Sequence, residues 1–256
     1  MKKYNICIVS GCDEKQQVFG DIAAELMKKY SAKHNYDFKY YTKDKFYFVP
    51  GLGIDSLEQQ DPTKQFKQIR VPNWNKVSIV ASNIDKYDFV LWVDSDIFFL
   101  KDDKRLEELF ELDRFYDKEF FLCPDAESLN VGFFLIKNSP NMKLLLRQWI
   151  QMGIDKNEYF SKGFASGQSI CFYEQAAFSE LYFKNWNNLM YQTQIMNSKK
   201  LNAHLQNQFW RGPYLDYLQA NKDSYILHLA GLSFKHRVEV SKLIKENHFE
   251  VDTYEP

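Results

Sequence analysis

Asp94 and Asp96 stand one residue apart where the apolar run Phe89-Val90-Leu91-Trp92-Val93 ends and Ile97-Phe98-Phe99 begins. Charges between two such runs are costly unless something neutralises them. A divalent cation does so directly. Carboxylate oxygens suit hard Mn²⁺ or Mg²⁺, ions commonly shared between one or two carboxylates and the phosphates of a substrate. The alternative is a strand-end turn whose acids cap nearby backbone N–H groups. Asp94-Ser95-Asp96 is the only Asp-x-Asp of the chain.

Such acids need a sheet to carry them. Tyr4–Ser10 reads as a first strand, Asp37–Thr42 as a second and Asp88–Val93 as a buried parallel strand. Further strands are expected at Glu119–Cys123, Val131–Ile136 and Tyr225–Leu229. Val18, Ile22, Leu26 and Tyr30 recur every fourth residue, so a helix is predicted over about Lys15–His34. Trp74, Val77, Ala81 and Ile84 mark another, with Asn73 as its N-cap. Ser139-Pro140 opens a helix striped by Met142, Leu145, Leu146 and Trp149, which Gly153 is expected to stop. Helices are also predicted at about Tyr173–Phe183 and, more polar, at Val238–His248.

Strand–helix alternation predicts an α/β fold, an open mixed sheet flanked by helices, with ligands at the carboxyl ends of the strands. Two long irregular segments, Lys43–Lys64 and Gly153–Gln168, read either as functional lids or as plain surface loops. One domain is expected over 1–256. Residues 1–100, which end just past Asp94-Ser95-Asp96, would form one half, 101–237 a second, and 238–256 a C-terminal helix and tail.

The 256 residues hold 33 Lys plus Arg against 34 Asp plus Glu, a balance that argues against nucleic acid as a partner. Aromatic residues make up 17%, enough for a core and for stacking platforms. The N-terminal apolar run is broken too early for a signal peptide, and no run is long enough to span a bilayer. Cys7, Cys12, Cys123 and Cys171 lack paired spacing, so neither zinc nor a disulfide framework is signalled. A cytoplasmic protein is the simplest expectation, although a catalytic fragment of an anchored protein would look the same. Oligomeric state leaves no signal.

Trp74-Asn75-Lys76, followed through a helix by Leu91-Trp92-Val93-Asp94-Ser95-Asp96, resembles the centre of a GT-A glycosyltransferase. It is most similar to the family of yeast α-galactosyl/mannosyl transferases and plant xyloglucan α-xylosyltransferases. Three further segments agree in order. Leu129-Asn130-Val131-Gly132-Phe133-Phe134-Leu135-Ile136-Lys137-Asn138 resembles the family's Asn-x-Gly strand. Tyr173-Glu174-Gln175-Ala176-Ala177 resembles its acidic-Gln helix start. His228-Leu229-Ala230-Gly231, with Lys235 downstream, resembles its C-terminal His-x-x-Gly. The likeness spans about residues 4–237.

The resemblance implies an enzyme moving a sugar from a UDP-sugar (galactose, xylose or glucose) to a glycan or other hydroxyl acceptor, with retention. Asp96 would ligate Mn²⁺ or Mg²⁺ directly, Asp94 would be shared with ribose or sugar hydroxyls, and His228 would be the third ligand. Lys235, and secondarily Arg237, would neutralise the leaving diphosphate. Asn130 and Gly132 would wall the donor sugar, the glycine admitting close approach or marking a bulge. Ser10, Gly11 and Ser95 would meet the nucleotide. Glu174 and Gln175 would be catalytic, Gln175 also touching the donor sugar. Glu174 could orient the acceptor, stabilise positive charge or act as general base. Phe46, Tyr47, Phe48, Tyr159, Phe160, Phe164, Phe209 and Trp210 would line an acceptor groove or simply pack. Rival readings are an inverting enzyme of the same fold, a non-catalytic carbohydrate-binding protein and a metal-dependent nucleotidyltransferase. The acidic Ser10-Gly11-Cys12-Asp13-Glu14 disfavours the last, which wants a basic, glycine-rich phosphate loop.

Overall fold

The computed structural model describes residues 2–42, 72–126, 128–155, 159–160, 164–165, 170–205 and 218–251. The expected irregular segment 43–64, much of 153–168, and Phe46, Tyr47, Phe48, Phe209 and Trp210 lie outside the described residues.

Strands with two greasy faces must be covered on both, and this requirement sets the architecture. The main sheet runs β2 (Asp37–Tyr41), β1 (Ile6–Gly11), β3 (Phe89–Asp94), β6 (Leu129–Lys137), β5 (Phe120–Pro124), β9 (Thr193–Ile195). β1 is parallel to β2 and β3, whereas β6 is antiparallel to β3 and β5, so the sheet is mixed. Val90 and Trp92 face one core while Phe89, Leu91 and Val93 face the other, as the period of two demands. Helices α2 (Asn75–Asn83), α4 (Pro140–Asp155) and α5 (Tyr173–Phe183) cover the first face. Helices α1 (Gln17–His34), α3 (Leu106–Leu109) and α8 (Phe234–Lys245) cover the second. Short helices α6 (Leu189–Gln192) and α7 (Ser198–Leu201) lie between β5 and the last strands, and β7 (Phe164–Ala165) pairs with β8 (Ile170–Cys171).

A second sheet orders β10 (Ala203–His204), β11 (Ile226–His228) and β4 (Ile97–Phe99). Because β4 follows β3 after two residues, Ser95 and Asp96 form the step from one sheet to the other. Cys7, Cys12, Cys123 and Cys171 are all buried. Among the described residues no helix is long and apolar enough to cross a membrane.

Three expected boundaries are corrected. Asn73 is not an N-cap: a 3₁₀ turn, Pro72–Trp74, precedes α2, and the cap position falls on Trp74. Gly153 does not stop α4, which runs to Asp155. A Cβ on Gly153 would sit 2.5 Å from the Trp74 ring, so the glycine admits the indole inside the helix. The last helix begins four residues before the expected Val238 and ends at Lys245, because the Ser233 hydroxyl accepts the His236 N–H and caps it. That start places Arg237 inside α8, across the expected division at residue 238.

Candidate active site

The antiparallel pairing of β11 with β4 sets His228 opposite Ile97, and Leu229 N–H donates to the Asp96 carbonyl at 2.9 Å. This register carries His228 Nε2 to 3.3 Å from Asp96 Oδ1. One ligand atom each from Asp94, Asp96 and His228 lie within 4.8 Å of one another. On the far side of the ring, His228 Nδ1 is 2.9 Å from Asn202 Oδ1, so Nδ1–H donates to the amide oxygen and Nε2 faces the acids. Burial pushes the Asp96 carboxyl up, but the His228 ring and the Arg237 guanidinium outweigh it and hold it well below the usual carboxylate range. Arg237 Nη1 lies 2.9 Å from Asp96 Oδ2.

Gly132 has both properties that its place in a strand allowed. The β5–β6 register shifts beside it, Leu122 opposing Phe134 but Cys123 opposing Asn130. A Cβ there would approach Asp94 Oδ2 to 2.8 Å and both Asn130 Oδ1 and His228 Cε1 to 2.9 Å. The missing side chain is therefore the space between the acids, the histidine and the asparagine. Asn130 donates through Nδ2 to Asp125 Oδ2 at 2.7 Å and accepts the Gly132 N–H at 2.8 Å.

Asp94 also has partners within the protein. Lys76 Nζ lies 3.0 Å from Asp94 Oδ1 and 2.9 Å from Glu174 Oε1, and Trp92 Nε1 donates to Asp94 Oδ1 at 2.6 Å. Burial works against the Lys76 charge, yet Asp94 and Glu174 raise its pKa above the ordinary ammonium range. Burial raises the Glu174 carboxyl despite Lys76, because one ammonium cannot fully compensate two carboxylates. Gln175 Oε1 accepts the Val131 N–H at 3.3 Å, tying the start of α5 to β6.

These residues surround one cavity of about 330 Å³. Gly11, Ser95, Asn130, Gly132, Glu174, Gln175 and Arg237 line it with the three candidate ligands, and Ser95 Oγ is 3.0 Å from Gln16 Oε1. Two expected residues are not brought there. Ser10 is fully buried in the sheet, since strand alternation turns it away from its neighbour Gly11. Lys235 is exposed and faces Glu239 at 3.8 Å. Of the aromatics, Phe160 is buried near Trp74 and Tyr159 is half exposed.

Sequence reasoning gave no role to Lys76, Asp125 or Asn202. Asp125 carried the same signal as Asp94, an acid just past an apolar strand. Lys76 sits on a helix buried almost all round, whose sequence shows no clear polar face.

His204, beside His228 in β10, is buried, and desolvation together with His228 holds its pKa well below the ordinary imidazole value. The unfolded chain takes up a proton near pH 6.5 that the folded chain refuses. Stability should therefore fall as pH drops below about 6.5, by up to ~1.4 kcal/mol per unit from this group. Urea unfolding at pH 7.5 and 5.5 checks this: His204→Gln should flatten the slope, and an unchanged slope would refute the assignment.

A family model described as the galactosyl transferase GMA12/MNN10 family matches residues 108–239. The match includes Asn130, Gly132, Glu174, Gln175, His228 and Arg237 and begins after the acid pair. Among solved structures, the chain resembles a glycosyltransferase involved in glycosylation of the major capsid of PBCV-1. The TM-score is 0.65 at 16% identity, covering 93% of this chain and 99% of that one. It also resembles the apo bifunctional glycosyltransferase WbbM, with TM-score 0.55 and 10% identity over 91% of this chain and 47% of that one. At these identities the likeness is one of fold, that of GT-A glycosyltransferases. No curated sequence matches.

Proposed function

Because the chain belongs to the galactosyl transferase GMA12/MNN10 family, whose members are nucleotide-sugar glycosyltransferases, we propose that it moves a hexose or pentose from a UDP-sugar to a glycan hydroxyl. Galactose, xylose and glucose are the candidate sugars, Mn²⁺ or Mg²⁺ the cofactor and retention the stereochemical course. The observation that carries this reading is the convergence of Asp94, Asp96 and His228 within 4.8 Å, with Asn202 fixing the ring and Gly132 leaving the space between them open. An oxygen–oxygen–imidazole donor set fits Mn²⁺ or Mg²⁺. When bound, such an ion would draw negative charge from the departing diphosphate.

The chain's own residues divide the remaining work. Arg237 supplies a positive charge at the same acid pair, suited to a diphosphate. Gly11, Ser95 and Gln16 present a polar edge for the nucleotide. Asp125 and Asn130, held together across the β5–β6 turn, offer acceptors and a fixed amide to sugar hydroxyls. Glu174, ion-paired at one oxygen, is placed to stabilise developing positive charge and orient the acceptor. That engagement favours retention, in which the leaving phosphate takes the acceptor proton, over an inverting route through a free base.

Calorimetry with UDP tests the reading. Binding should strengthen at least tenfold with Mn²⁺, and a nucleotide-sugar hydrolysis screen with Mn²⁺ should single out one donor. Metal-independent UDP binding, or no hydrolysis of any donor, would leave at most a binding protein.

A further inference from the structure

Behind His228, on the side away from the acids, lie two more buried polar side chains, Asn202 and His204. Strand β10 runs parallel to β11 with His204 opposite His228, and the two ring centroids are 5.1 Å apart. The His204 backbone is pinned. Its N–H donates to the Leu218 carbonyl and its carbonyl accepts the Ala220 N–H, both at 2.8 Å. Asn202, just past the end of α7, reaches between the rings. Its Oδ1 is 2.9 Å from His228 Nδ1 and its Nδ2 is 3.4 Å from His204 Nε2. Among the described residues, neither Asn202 nor His204 lines the cavity.

The two ends of an amide are alike in shape and opposite in function. Turned over, Asn202 would offer N–H to His228 Nδ1, which would then have to accept. The single proton of a neutral His228 ring would move to Nε2 and donate to Asp96 Oδ1, which is 3.3 Å away. That tautomer has no lone pair at Nε2 for a cation. Asp96 favours the wrong nitrogen whenever no cation is bound, and Asn202 alone can serve either. The choice therefore falls to whatever orients the amide. His204 does so: with Nε2 unprotonated it accepts from Nδ2, and only Oδ1 is left to face His228.

We propose that His204 is a positioning residue that, through the Asn202 amide, keeps the His228 proton on Nδ1 and the Nε2 lone pair turned to the acid pair. This inference rests on the metal site of the sugar-transfer reading and adds what selects its nitrogen ligand atom.

Nitrogen NMR of the histidine rings in the full chain, free of metal, reads which nitrogen carries the proton. Wild-type His228 should carry it on Nδ1 alone. His204→Gln sets an amide oxygen near the place of Nε2 and should preserve that state, whereas His204→Leu should shift the proton to Nε2 in roughly half of the molecules or more. Mn²⁺ affinity in the presence of UDP, read by electron paramagnetic resonance, should fall about ten- to a hundredfold in His204→Leu and by less than about threefold in His204→Gln. Asn202→Asp/His204→Leu should regain most of the lost affinity, because a carboxylate accepts Nδ1–H whichever way it turns.

A proton on Nε2 of wild-type His228 would overturn the relay before any variant is made. So would a His204→Leu chain with wild-type tautomer and affinity, a His204→Gln chain as impaired as His204→Leu, or a double variant without recovery. If His204→Leu does not fold, the wild-type and His204→Gln spectra decide. A wild type that binds no Mn²⁺ with UDP overturns the metal site instead, and the tautomer comparison still decides the relay.

Discussion

Replacing Asp96 by asparagine should cut donor turnover by about a thousandfold, the upper range for losing one preorganised electrostatic contributor. Asparagine keeps the volume and removes the charge. His228 and Arg237 both converge on this carboxylate, so the variant removes the negative centre that orders them as well as a candidate metal ligand. Arg237 is partly exposed and can turn to water, so the cost should fall on activity more than on folding. Hydrolysis rates across a Mn²⁺ titration, with near-ultraviolet circular dichroism as a control for packing, measure the effect. Turnover within tenfold of wild type and unchanged metal dependence would remove Asp96 from the mechanism.

Lys76→Met should have the largest effect on stability. The ammonium is almost fully buried between Asp94 and Glu174. Removing it leaves Glu174 buried without its counter-charge, and breaking a buried pair in this way costs about 3–5 kcal/mol. Asp94 is 27% exposed and contributes less, because water reaches it. The sign can be checked by a second change: Lys76→Met/Glu174→Gln should recover more than half of the loss, because the stranded charge is gone. Urea denaturation of both variants reads this directly. Equal instability of single and double variants would mean that Lys76 acts through packing alone.

Much of the scaffold was legible because both faces of β1, β3, β5 and β6 are buried, leaving short apolar runs rich in β-branched and aromatic residues. The acid pair was legible because its charge interrupts such a run. Contacts made across the fold were not. Gly153 looks like a helix stop, and only the neighbouring Trp74 ring shows why a side chain cannot stand there. Lys235 was expected to meet the diphosphate ahead of Arg237, and the cap at Ser233 reverses that order by fixing the helix. Two positions along an α-helix are turned apart by roughly 200°, so when Arg237 faces Asp96, Lys235 must face water. Asn202 carried no sequence signal, since its role depends on reaching the far side of a ring from another chain segment.

The step between the sheets also sets an order of assembly during synthesis. Lys76 is made before Asp94, so the first acid meets its counter-charge as soon as β3 docks. Asp96 must wait for His228 and Arg237, which leave the ribosome about 130 positions later, a delay of roughly seven to twenty-five seconds at ordinary elongation rates. Until then β4 also lacks its antiparallel neighbour β11. A nascent chain can therefore build most of its main sheet early and remain without a finished reaction centre until residue 237 has emerged, and a chain shortened before α8 would deprive the second acid of Arg237 while leaving the first acid's partners in place.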